Sequence, residues 1–158
     1  MPPTRRHIRL TFPATGESVV AELLDDEAPQ TSRLVWERLP VERPLTHGRY
    51  SGAEVFMIID PPAPAPAENQ TMLPLPGEIL YWSEHDTSVT GRGGLVAEIC
   101  LIYGRGVTLR GPEGKLSHGS LFARIPGDWK YDWVAFAAAC RRVRTEESQR
   151  LRIERVEG

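Results

Sequence analysis

The chain is poor in the residues from which metal centres and disulfide frameworks are built: of 158 residues, two are cysteine and four histidine. Cys100 and Cys140 lie in apolar surroundings without a paired spacing. They read as buried thiols of a cytoplasmic protein rather than a disulfide or a metal pair. Glu84, His85 and Asp86 are metal-capable types, but adjacent loop residues rarely converge on one ion. No second cluster has ligand spacing, so neither a metal nor another cofactor is expected. Charge of one sign is also lacking. Nineteen Lys and Arg stand against 21 Asp and Glu, a net charge of -2, which gives no nucleic-acid footprint. No run approaches the roughly 20 apolar residues of a membrane helix, and the stretch Met1–His7 has no signal-peptide core. There is no internal repeat, nucleophile elbow, Cys–His pair, paired-carboxylate motif, P-loop or dinucleotide pattern. The chain therefore carries no mark of an enzyme and leaves that question open.

What is there suits one domain spanning residues 1–158, with 41% apolar and 25% charged residues. Residues 7–12 alternate, with Ile8, Leu10 and Phe12 on one face, and residues 18–24 form a second apolar strand after the turn at Pro13–Gly16. A helix runs from Pro29 to about Leu39, with Thr31, Leu34, Val35 and Leu39 on one face and Asp26 or a neighbour as its cap. Residues 42–44 read as loop. The proline-rich stretch 60–66 reads as an extended segment, either a stiff loop or a mobile flap. Further strands are expected at 78–82, 95–103, 107–109, 120–125 and 150–156. The segment 95–103 is the most apolar and reads as buried on both faces. A second helix opens at Asp128 as N-cap and buries Trp129, Trp133, Phe136, Ala137, Cys140 and Val143. Arg141, Arg142 and Arg144 form its solvated basic end. About eight strands and two helices, in the order β-β-α-β-β-β-β-β-α-β, imply a mainly β fold: a closed or nearly closed barrel with a helix on each open end.

The richest chemistry lies in Thr46–Glu54, which runs into the apolar strand 55–59. Arg49 offers a planar fork of donors for a carboxylate or peptide carbonyl, or an ion pair with Glu54. His47 can exchange a proton near neutral pH, or simply hold a backbone carbonyl. Tyr50 and Ser51 can hydrogen-bond a ligand or complete the turn, and Trp82 can wall a pocket or close the barrel. His118 precedes a strand and can face the same mouth as Arg49, a placement the sequence leaves open. Gly91–Gly94 can cradle a phosphate but reads better as loop. Glu98 is the odd carboxylate of the apolar strand, so burial there requires pairing or protonation.

The element order is similar to the cyclophilin-like barrel. Three stretches resemble a bacterial family of uncharacterised proteins with that fold, DUF3830. They are the Ala28–Pro29 helix ending at Leu39–Pro40, the run His47–Gly52, and Pro76-Gly77-Glu78-Ile79-Leu80-Tyr81-Trp82. The resemblance covers nearly the whole chain. It implies a cyclophilin-like closed barrel of about eight strands capped by two helices. It also places Arg49 at the position of the catalytic arginine of cyclophilins. The phenylalanine, glutamine and paired glycines that follow that arginine are replaced here by Tyr50-Ser51-Gly52-Ala53-Glu54.

The leading expectation is a pocket for a small polar or anionic ligand, built from His47, Arg49, Tyr50, Ser51, Glu54, Trp82 and His118, with no catalytic residue assigned. Prolyl cis-trans isomerisation is the second reading. A non-catalytic subunit of a larger assembly, homo-oligomers included, is the third. Nucleic acid and membrane are not expected partners.

Overall fold

The structure, a computed structural model, describes residues 4–85, 94–111, 114–146 and 148–157. Its elements are β1 (His7–Thr11), β2 (Ser18–Leu23), α1 (Pro29–Arg38), β3 (Val41–His47), β4 (Glu54–Ile58), β5 (Gln70–Thr71), β6 (Glu78–His85), β7 (Leu95–Ile102), β8 (Gly119–Arg124), α2 (Val134–Arg142) and β9 (Arg150–Val156). The strands form one 9-stranded sheet in the order β2-β1-β9-β3-β4-β7-β6-β8-β5, and β2 pairs back onto β8. Every pairing is antiparallel; eight strands close the barrel, and the two-residue β5 pairs with the Gly119–Ser120 end of β8 while β2 pairs with its Ala123–Arg124 end. Closure removes the free strand edges that an open sheet would leave.

Alternation decides which side chains fill the barrel. Ile8, Leu10, Val55, Met57, Ile79, Tyr81, Ile99, Leu101, Phe122 and Ile153 point inward and form one cluster. Val35 and Leu39 from the first helical segment join it beside Ile59, Tyr81 and Ile99. Phe136, Ala137 and Cys140 from α2 join it beside Phe12, whose ring meets Phe136 edge-on at 5.2 Å. The two cysteines are free and buried.

The structure departs from the sequence pattern at four places. Residues 42–44 are strand, not loop: β3 pairs with β9 through Val41–Pro44 and with β4 through Leu45–His47. Its charged residues and Pro44 hide it, because only Leu45 is buried and a proline cannot donate to the ladder. Residues 107–109 form no strand; they pack over the barrel wall, and only Arg110 and Leu116 make an isolated bridge. Asp128 does not cap α2, which starts at Val134 with Trp133 at the N-cap. Instead Asp128 and Asp132 bind each other's backbone N–H region in a tight turn, Asp132 Oδ2 accepting from the Asp128 amide at 2.6 Å.

Asp26 does not cap α1 either. Glu68, far along the chain, accepts from the Thr31 amide at 2.6 Å and the Thr31 hydroxyl at 2.9 Å. A carboxylate here satisfies a free helical N–H and complements the dipole. The segment 60–66 is a stiff loop. The Tyr81 hydroxyl donates to the Ala63 carbonyl, the Ala65 amide to Ser83 Oγ, and Arg38 to the Pro61 carbonyl.

Replacing Glu68 by Ala is expected to destabilise the protein by about 1 kcal/mol, read as a lower urea midpoint at unchanged slope. Glu68→Gln, which keeps an acceptor, should lose less, and Asp26→Ala should stay within about 0.5 kcal/mol of the parent. An Asp26→Ala loss equal to that of Glu68→Ala would contradict the assignment of the cap.

A candidate ligand pocket on the outer wall of the barrel

Most outward side chains of β4, β6 and β7 are apolar, where a solvated wall would carry polar ones. Phe56, Leu80, Trp82, Val96, Cys100 and Ile102 form a second apolar cluster outside the barrel, covered by Val107 and Leu109. The covering segment is fixed by backbone bonds: Tyr103 N–H to the Ala53 carbonyl and Leu109 N–H to the Met72 carbonyl. Two side-chain pins hold its far half. Ser51 Oγ accepts from the Arg110 amide at 3.0 Å, and Trp82 Nε1 donates to Ser117 Oγ at 2.6 Å.

Between wall and cover lies a cavity of about 440 Å³, within the range of small-molecule sites. Register places its floor. Phe56 lies opposite Cys100, and Ile58 opposite Glu98, which in turn lies opposite Trp82. Glu54 begins β4 four residues before Ile58, so the two carboxyl-bearing ends of the floor stand about 13 Å apart along the strand. Arg49, Tyr50 and Arg110 line the cavity and are exposed.

Glu54 is one of three buried carboxyl groups among the described residues, with Glu78 and Glu98. It is 6% exposed, and among the described residues its carboxyl has no hydrogen-bond or ion-pair partner. Burial alone pushes its pKa up to about 7. The loop before it is shaped to admit it. A Cβ at Gly48 would come within 2.6 Å of Glu54 Oε1, so the glycine lets the carboxyl lie against the chain in this position without shifting. Gly52, at φ +108°, turns the backbone so that its carbonyl accepts from the Glu54 amide.

His47 is held in one tautomer. Its Nδ1 faces the Gly48 carbonyl at 2.8 Å, which can only accept, so Nδ1 carries the proton. Nε2 then accepts from the Tyr103 hydroxyl at 2.6 Å. Both ring nitrogens are engaged, which fixes the His47 ring in the wall of the pocket. Cys100 is inert as well: burial first, then the nearby Glu54 and Glu98 carboxylates, push its thiol far up.

Thus His47, Arg49, Tyr50, Ser51, Glu54 and Trp82 do line one cavity. His118 does not; it is exposed, and its neighbour Ser117 takes the lining position. The site sits on the outer wall, not at a mouth of the barrel, because Glu54 and Phe56 point away from the core that Val55 and Met57 enter. Arg49 makes no ion pair with Glu54. Glu98 is buried and lines the same cavity. The sequence reading missed Phe56, Arg110 and Ser117. Phe56 had a signal, the period-2 alternation with Val55 and Met57; Arg110 and Ser117 depend on how the covering segment folds. Asp86 and Gly91–Gly93 lie outside the described residues.

Two solved structures share the fold. One, the structure of McbB in complex with tryptophan, is similar at a TM-score of 0.71 and 16% identity over 96% of this chain. The chain spans 45% of that protein. The other, the solution structure of the hypothetical protein AF2241 from Archaeoglobus fulgidus, is similar at 0.57 and 19% identity, over 99% of this chain and 100% of that one. No curated protein matches. Residues 10–154 match the family described as "Protein of unknown function (DUF3830)", and the chain belongs to that family.

Proposed function

We propose that the chain binds a small polar molecule in the outer-wall pocket. The observation that carries this reading is Glu54, a buried carboxyl without a partner on the floor of a 440 Å³ cavity. Such a group raises the energy of the empty protein, and a ligand donor supplies what the fold withholds. Arg49 and Arg110 at the rim suit the carboxylate or other anionic end of the same molecule. Phe56, Trp82 and Leu109 suit an apolar or aromatic body between the two ends. The ligand is therefore amphoteric, with an amine or amide for Glu54 and a carboxylate for the arginines. McbB, of which a part shares this fold, was solved in complex with tryptophan, a molecule with those three parts.

The test is a thermal-shift screen of amino acids, tryptophan among them, amides and small carboxylates. A ligand at one hundred times its dissociation constant stabilises the native state by about 2.7 kcal/mol. A hit should be lost in Glu54→Gln and weakened about tenfold or more in Arg49→Ala or Arg110→Ala. Hits that persist unchanged in Glu54→Gln would overturn the pocket.

Glu54 also predicts a pH dependence with a definite sign. Its folded pKa, about 7, lies above the ordinary value of 4.5. Between these values the native state binds more protons than the unfolded state. This contribution is therefore fully present below about pH 4.5 and is lost as pH rises through 7, by about 3 kcal/mol. Glu17, Glu27 and Glu42, whose pKa values are lowered, act in the opposite sense and only at acid pH. Glu54→Gln isolates the effect: the variant should be more stable than the parent at pH 8, and that difference should vanish toward pH 4.5. Urea melts at the two pH values check it, and a variant no more stable at pH 8 would refute it.

A further inference from the structure

Beyond the wall made by Thr46–Tyr50 the surface holds a second hollow, an open trough of about 1410 Å³. One side is the loop 46–53, another is Tyr103–Arg105, and the third is the end of α2 with residues 143–146. Arg49, Arg105, Lys130, Arg141 and Arg144 all line it, against Glu146 as the one acidic residue lining it among those described. All five cations are exposed, and among the described residues none has an ion-pair partner. Arg142, the neighbour on the other face of the helix, is already committed to Glu17 at 2.6 Å. The helix end therefore divides its arginines, one bound to the barrel and two left facing the trough. In a chain of net charge -2 this concentration of one sign in a concave surface is unexpected by composition. It raises the local potential and repels itself while the trough is empty.

We infer that the trough is an anion subsite, taking a phosphate-bearing or polycarboxylate group of a small molecule. The planar forks of Arg105, Arg141 and Arg144 suit bidentate contacts to such a group. Helix C-termini do favour cations, but that effect is confined to the last turn. It does not account for Arg49 and Arg105, which come from other parts of the chain. The trough and the pocket share Thr46, His47, Gly48, Arg49 and Tyr50, with Arg49 and Tyr50 exposed on the common rim. A single ligand can then place its anionic group among the arginines and its head against Glu54. That bridging depends on the pocket proposed above; the subsite itself stands on its own residues. The concave form, continuous with a 440 Å³ cavity, favours a small anion over an extended polymer.

Isothermal titration with pyrophosphate at low ionic strength tests the subsite. Binding is expected to weaken at least about tenfold in Arg141→Gln/Arg144→Gln, and also in Arg105→Gln, which leaves the helix untouched. A control, Arg9→Gln/Arg33→Gln, removes the same charge from exposed positions elsewhere on β1 and α1 and should bind as the parent does. Glu54→Gln should keep pyrophosphate binding even where it abolishes binding of pocket ligands, so the two sites fail separately. No pyrophosphate binding, or equal weakening in the control, would overturn the subsite. So would a single-stranded RNA oligonucleotide bound more tightly than pyrophosphate through the same arginines. Circular dichroism of each variant confirms that the fold is retained.

Discussion

Apart from Glu98, strand β7 is apolar on both faces, and this one constraint arranges the rest of the molecule. Ala97, Ile99 and Leu101 enter the barrel, while Val96, Cys100 and Ile102 point out of it. A barrel normally hides only its inner face, so an apolar outer wall must find a second cover. Residues 103–111 supply it with Val107 and Leu109. At about 25 cal/mol per Å² of apolar surface, that burial offsets the ordering of a segment without regular structure. The Ser51 and Trp82 hydrogen bonds then fix where the cover lies. The pocket is the region between these pins where wall and cover do not meet.

The same arrangement explains why the pocket is costly. Covering the wall also covers Glu54, whose carboxyl would be solvated on an ordinary barrel exterior. Gly48 makes room for it, and no neighbour described offers it a hydrogen bond. A protein under selection for stability alone would place an apolar residue or a partner there. Close by, the same covering segment satisfies Ser51, and the Gly48 carbonyl and Tyr103 hydroxyl satisfy the two ring nitrogens of His47. The contrast localises the unsatisfied group to the cavity floor rather than to loose packing of the whole loop.

Much of the fold was legible because it depends on local pattern. The alternation of residues 7–12 and 150–156, the doubly apolar run 95–103 and the helical spacing around Phe136 each report a buried face directly. Strand β3 was not legible, because its residues are held by β4 and β9 rather than by their own apolar period. Nor was the cap of α1, since Glu68 reaches Thr31 from 37 residues away. The candidate site divides in the same way. His47–Glu54 stood out because glycines, charges and an apolar strand occur together in sequence. Arg110 and Ser117 enter the cavity only through the tertiary path of the covering segment. His118 misses it by one position, which along an irregular segment cannot be read from pattern.

The two hollows are separated by a thin but well-tied partition. His47 donates to the Gly48 carbonyl and accepts from Tyr103, whose ring stands edge-on to the imidazole at 5.7 Å. Arg141 and Arg144 lower the Tyr103 pKa from the trough side, against the larger effect of burial, which raises it. Each link therefore has chemistry on both sides: guanidinium groups beyond Tyr103, and a buried carboxyl beyond His47. The chain of hydrogen bonds stops at the Gly48 carbonyl and does not reach the Glu54 carboxyl, so the partition divides the hollows rather than wiring them together.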